Sequence, residues 1–299
     1  MFEQTPKRLH QPVLIKEVIE LLQPRPGKIL VDATIGSGGH SELLLGLIES
    51  SGKLIGIDRD KETLNIARER LKNYQTQLIL LCDNFINLPH ILKELDIEKV
   101  DGVLLDLGIS SQQLSDAERG FSFQQDGPMD MRMSRTSRLK ASDIINKYSP
   151  ERLVKIFQDY GEERWSKRIA RNIIGARTRK RIERTRELVE IIQRAVPFKK
   201  TRIHPATRVF QALRIEVNGE LDNLRQFLKE PERYLKTGGR LAIISFHSLE
   251  DRLVKESFRE KIKQDVFKRI TKKPIRPEQE EVLTNPRSRS ARLRAVERS

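Results

Sequence analysis

Apolar positions along the chain fall into two patterns that alternate. Five short runs, 29–32, 54–58, 78–83, 100–106 and 241–245, are almost continuous in Ile, Leu and Val, and they end on Asp32, Asp58, Asp83, Asp106 and Ser245. Continuous runs are expected of parallel strands covered on both faces. Helix-length segments separate the first four. In 61–72, Leu64, Ala67 and Leu71 share one stripe with charges opposite. Strand–helix alternation predicts an α/β fold with a doubly wound sheet, in which ligands sit outside the carboxyl ends of the strands. The four aspartates would converge there.

Some 135 residues separate the fourth run from the fifth, far too many for one crossover. Within them Ser149 reads as a helix cap with Pro150 at the first position. Leu153, Ile156, Phe157 and Tyr160 form the apolar stripe of that helix, and Gly161 ends it. Trp165, Ile169 and Ile173 make a second stripe, backed by Arg164, Lys167, Arg168 and Arg171. Leu188, Ile191, Ile192 and Ala195 make a third. The pattern predicts a sheet domain in two parts, 1–112 and 208–299, with a small helical domain inserted at 113–207. Helices over 207–217 and 220–234 return the chain to the fifth strand. The tail carries Pro274, Pro277 and Pro286, and 291–298 reads either as a last strand with Leu293 and Ala295 inside or as a disordered basic tail.

Charge changes this picture by its distribution. The net charge is +15, yet 151–208 holds 17 Lys/Arg against 7 Asp/Glu and 268–299 holds 10 against 4, leaving the rest near neutral. Two basic stretches on a neutral body suit a phosphate backbone. Neutralising Arg177, Arg179, Lys180 and Arg181 is expected to weaken nucleic-acid binding. The single cysteine, Cys82, excludes a disulfide framework and a multi-thiolate metal site. Five histidines never fall at metal-ligand spacing, so no metal is expected. No stretch reaches membrane-spanning length and the first residues lack a signal-peptide core, so a cytoplasmic protein with no membrane partner is expected.

The candidate chemistry lies at the strand ends. After Asp32 comes a glycine loop, Gly36, Gly38 and Gly39, opening a helix. Such a turn brings backbone close to a nucleotide-like ligand, with no Cβ in the way. No Lys-Ser/Thr follows, against an NTPase, and Ser41 stands where a dinucleotide fingerprint has a third small residue. Asp58, about 20 residues on, has the spacing of a ribose-binding carboxylate, its alternative being a cap for the next helix. Asp83 with Phe85 suits an adenine, or a plain turn. Asp32 either faces the ligand or braces the loop.

The block DATIGSGGHS (32–41) resembles motif I of S-adenosylmethionine methyltransferases. Together with DLGISSQQLSDAERGFSF (106–123), DGPMDMRM (126–133), TRVFQALRIEVNGEL (207–221), SFHSLEDR (245–252), NPRSRSARLRAVER (285–298) and HQPVL (10–14), it resembles the bacterial 16S ribosomal RNA cytosine-N4 methyltransferases over nearly the whole chain. The resemblance implies a Rossmann-like methyltransferase sheet interrupted by a helical domain. It also implies S-adenosyl-L-methionine as cofactor and, as partner, 16S rRNA in the small ribosomal subunit or a late assembly intermediate. Carried over, the cofactor contacts fall on Gly38, Gly39, His40, Asp58, Phe85, Asp106 and Gln113; His40 and Gln113 are singled out by the resemblance alone.

N4 methylation needs orientation and an acceptor for an amino proton. Asp106 is a candidate for that acceptor and equally for holding the cofactor. Many amino-directed methyltransferases carry Asn/Asp/Ser-Pro-Pro-aromatic at this point, whereas this chain has Asp-Leu-Gly-Ile. Phe246 suits stacking on the target base and His247 suits proton relay. Alternatively Ser245, Phe246 and His247 only shape the turn into the next helix. Chemistry at C5 needs a cysteine nucleophile, and Cys82 is expected to be buried in the third strand. The rivals are a nicotinamide-dependent dehydrogenase and a non-enzymatic ribosome-assembly factor.

Overall fold

The computed structural model describes residues 12–197 and 204–299. His10 and Gln11 of the HQPVL block lie outside the described residues, as do Lys199, Lys200 and Arg202 of the first basic stretch. Two compact units are present: residues up to 108 together with 224–299, and residues 109–223.

The first unit is built on seven strands: β1 (Ile29–Asp32), β2 (Lys53–Asp58), β3 (Leu78–Cys82), β4 (Val100–Asp106), β5 (Leu235–Ser245), β6 (Phe267–Arg269) and β7 (Arg292–Arg298). Their order is β3-β2-β1-β4-β5-β7-β6. The first five pair in parallel, while β7 runs antiparallel to β5 and β6. This is a Rossmann-like, doubly wound sheet. Neighbouring residues of the continuous runs enter opposite apolar layers. Val31, Ile55, Val103 and Ile243 pack on one face. Leu30, Leu54, Leu104 and Ala242 pack on the other. That division accounts for runs without polar alternation.

Two features differ from the sequence reading, the start of the fifth strand and the exposure of Cys82, and the alternative left open at 291–298 resolves to the strand. The fifth strand starts at Leu235, six residues early, because it passes through Lys236–Arg240 with Gly238 at φ +74° and a register shift against β4. The basic tail forms β7, where Leu293 and Ala295 are buried. Cys82 is exposed, not buried. β3 is the outermost strand on its side, so its residues are covered from one flank only.

The second unit is helical. Ser149 caps the helix Pro150–Asp159, its hydroxyl accepting from the Arg152 N–H at 3.2 Å. Phe157, Ile169, Ile173, Leu188 and Ile192 share its core with Val209, Phe210 and Leu213. The last three belong to the helix Ala206–Asn218, so this unit runs on to 223 instead of ending at 207. The RGFSF and DGPMDMRM blocks serve as scaffold in it. Arg119 donates to the carbonyls of Arg132 and Met133, both at 2.9 Å. Asp130 and Arg132 form a two-pronged ion pair, each contact 2.8 Å. A Cβ on Gly127 would collide with the Ala117 carbonyl, so only glycine fits.

The basic quartet at 177–181 divides. Arg177 donates to the Ile145 carbonyl at 2.8 Å, Lys180 pairs with Glu187 at 2.7 Å and Arg181 with Glu183 at 3.3 Å. Arg179 alone has no partner among the described residues.

Candidate active site

β1 lies between β2 and β4, so the turn that follows it sits where the connections diverge to opposite sides of the sheet. That turn holds Gly36 at φ +55° and Gly38 at φ +83°, the second capping the helix Gly39–Ile48. Nothing within 3.9 Å occupies the place where a side chain on Gly36 would stand.

Asp58 ends β2. One carboxylate oxygen accepts the Gly36 N–H at 3.0 Å and the other accepts the Asp60 N–H at 2.9 Å. Asp60, not Asp58, caps the helix Lys61–Arg70. Asp58 therefore ties the glycine loop to β2 and keeps acceptor lone pairs for a diol. Asp32 braces the loop: it accepts the Ser41 hydroxyl at 2.7 Å and the Thr34 N–H at 3.4 Å. Ser41, the departure from the dinucleotide fingerprint, is the donor that satisfies it. Burial pushes both Asp32 and Asp58 up to about 6 against the pull of these hydrogen bonds.

Asp106 ends β4. Its N–H donates to the Thr34 hydroxyl at 2.6 Å, a contact the sequence reading missed. A quarter of its side chain is exposed, yet Oδ1 is buried without a hydrogen-bond partner among the described residues. Oδ2 lies 3.7 Å from Nδ1 of His40. His40 is buried, and its Nε2 stands 2.8 Å from the Val13 carbonyl. A carbonyl only accepts, so Nε2 carries a hydrogen, and a favourable Nδ1–carboxyl contact needs a further proton between the two. Burial, with the charges of Asp32 and Glu250 adding, holds the Asp106 carboxyl well above the usual range. Such a carboxylate is an unusually good proton acceptor.

Asp83 is turned to its own loop, its Oδ1 accepting from the Asn84 N–H and from Asn87 Nδ2 at 2.7 Å. Phe85 is partly buried and meets Phe227 edge-on at 5.6 Å. The turn after β5 is closed by its own side chains. Ser245 donates to the Arg292 carbonyl at 3.3 Å. His247 caps the helix Ser248–Lys263. Glu250 accepts the N–H groups of Phe246 at 2.8 Å and His247 at 3.3 Å. This is a capping box with His in place of Ser or Thr. His-x-x-Glu was the signal that could have found Glu250.

Gln113 belongs to the helical unit, where it forms a capping box with Ser110, both contacts 3.1 Å. The Ser-x-x-Gln spacing was legible and was not used. Burial and the nearby charges of Asp58 and Asp60 push the Cys82 thiol up, which disfavours the nucleophilic thiolate although the residue is exposed.

The residues fit an adenosyl-type cofactor: room at the glycine loop, a carboxylate for ribose hydroxyls, and an orphaned buried oxygen on Asp106. A doubly wound sheet carrying these features at its switch point belongs to the nucleoside-cofactor α/β enzymes. Within that class the chain belongs to the MraW methylase family, whose model matches residues 7–299. It is 47% identical to a ribosomal RNA small subunit methyltransferase H of Syntrophotalea carbinolica, over 97% of this chain and 98% of that one. It is 48% identical to the protein so named in Clostridium botulinum, over 95% and 97%. A solved rRNA methylase from Streptococcus thermophilus is 16% identical, covers 95% of this chain and 93% of its own, and superposes with a TM-score of 0.40. Among the described residues, no helix is long and apolar enough to cross a membrane.

Proposed function

We propose that this chain methylates N4 of a cytidine in the decoding region of 16S rRNA, using S-adenosylmethionine. The rRNA of the small subunit is the substrate class named for its relatives at 47–48% identity. The substrate is the assembled subunit or a late intermediate, and the enzyme works in the cytoplasm.

Gly36, Gly38, Gly39 and Asp58 hold the adenosyl end, with Phe85 and Asp83 at the base and His40 completing the cofactor contacts within the sheet unit. Bound there, S-adenosylmethionine supplies a methyl group already electrophilic on its sulfonium. The chain has two tasks left: to orient the cytosine amino group and to take its proton. The N4 lone pair is delocalised into the ring, and an acceptor on an amino hydrogen localises it. Asp106 is that acceptor. The observation carrying this role is its buried, unpartnered Oδ1 on a carboxyl of raised proton affinity. Phe246 offers its ring to the extruded base, while Ser245 and His247 position the turn that carries it.

The test is nucleoside mass spectrometry of RNA extracted from unmethylated small subunits and late assembly intermediates after treatment with the protein and labelled donor. Label on N4-methylcytidine is expected; label on another nucleoside, or none, overturns the reading. Calorimetry should show S-adenosylhomocysteine binding and NAD not binding. Asp106→Asn should lower transfer about 10²- to 10⁴-fold and keep S-adenosylhomocysteine bound, and loss of both would make Asp106 a cofactor holder.

A further inference from the structure

A pocket of about 340 Å³ lies within the sheet unit, beside the turn that follows β5. One wall is Phe246, His247 and the start of the helix Ser248–Lys263; the other carries Arg276, Arg289 and Arg292. Arg276 and Arg289 are exposed, and neither guanidinium has a hydrogen-bond or ion-pair partner among the described residues.

The nearby carboxylates are already engaged. Asp251 is shared by Arg292 at 2.9 Å and Arg294 at 2.7 Å. Glu250 faces the backbone of the turn and His247 Nε2, the latter at 3.2 Å. Glu281 accepts the Leu14 N–H at 2.9 Å. Asp251 is thus committed to Arg292 and Arg294, and the guanidinium groups of Arg276 and Arg289 at the pocket are left without an ion-pair partner among the described residues. The N-terminal end of a 16-residue helix adds its dipole with the same sign. Ser290 adds a hydroxyl to the lining. Planar guanidinium forks match phosphate oxygens two at a time, and the Phe246 ring offers an adjoining flat face.

We propose that this pocket seats a backbone phosphodiester of the substrate RNA flanking the target nucleotide. The proposal rests on rRNA being the substrate. The phosphate fixes the register of the strand, while the adjoining Phe246 ring is left to the target base.

The experiment compares the full-length protein with Arg276→Ala/Arg289→Ala and Arg276→Lys/Arg289→Lys. Small-subunit RNA binding is measured across a KCl series, alongside S-adenosylhomocysteine affinity and the KM and kcat of transfer. In the alanine pair, RNA affinity should fall about tenfold or more near 0.1 M salt, and the slope of log K against log salt should shrink by about two. KM for RNA should rise, with kcat and S-adenosylhomocysteine affinity held within about twofold. The lysine pair keeps the charge but loses the fork, so it should recover the salt slope and only part of the affinity. RNA affinity and slope unchanged in the alanine pair, with methylation intact, overturn the pocket alone. Inorganic phosphate or a mononucleotide that saturates the wild-type protein at micromolar concentration also overturns it, since the pocket then belongs to a small anion. A wild-type protein that methylates no rRNA overturns the proposed function itself.

Discussion

The two compact units handle charge in opposite ways. At the strand ends of the sheet unit, Asp32, Asp58 and Asp106 are held by backbone amides, hydroxyls and one imidazole, with no lysine or arginine side chain among their partners in the described residues. In the helical unit many cations are exposed and paired with a neighbouring acid, as in Lys155–Asp159 at 3.0 Å and Arg184–Asp126 at 2.6 Å. Such surface pairs contribute little each, whereas buried unpaired acids have strongly displaced proton affinities. The +10 of the stretch at 151–208 is already net of its seven acids, so it is carried by the cations that no acid pairs. Among its described residues, unpartnered cations are Lys167, Arg168 and Arg171 on the helix Ser166–Arg177, and Arg179 beyond it. Formal charge counts residues; binding depends on those without an internal partner.

Four measurements break or sharpen this contrast. Asp106→Asn should lower kcat about 10²- to 10⁴-fold, the usual weight of a general base, and leave RNA affinity unchanged. A matching loss of RNA binding would erase the division of labour. Replacing Lys167, Arg168 and Arg171 together by alanine should weaken RNA binding about tenfold or more and reduce the salt slope by about three, with S-adenosylhomocysteine affinity intact. Cofactor affinity should respond to pH through Asp58. Its carboxyl titrates at about 6, and ribose hydroxyls donate to the ionised form. Calorimetry should therefore find the dissociation constant flat above pH 7 and rising about tenfold per unit below about 6. The smallest effect belongs to Arg181→Ala, which removes an exposed pair with Glu183. Stability should change by less than about 0.5 kcal/mol in denaturant titration, and RNA affinity should stay within about twofold.

The carboxyl ends of the first five strands were legible because both-face burial demands uninterrupted Ile, Leu and Val. β6 escaped notice: three residues, of which only Phe267 is buried, carry no periodic signal. The start of β5 was hidden by Lys-Thr-Gly-Gly-Arg, a polar run that reads as a turn. In the site, Asp58 followed from its spacing to the glycine loop. His40 did not, since its burial comes from Val13 and Asp106, 27 and 66 positions away in sequence. Cys82 was misplaced because an apolar stretch reveals that a strand exists without revealing its rank in the sheet.

The pairing of β4 with β5 has a consequence for synthesis. Asp106 stands opposite Ile244, and roughly 130 residues separate the end of one strand from the start of the other. At about 5–20 residues per second, a ribosome extends the chain for roughly six to twenty-six seconds between them. During that interval the nascent four-stranded sheet carries an open hydrogen-bonding border on β4, rich in valine and leucine, and it is vulnerable to association with other chains. A helical segment that collapses promptly on local contacts is a suitable occupant of the gap, because it shortens the span the late strand must close.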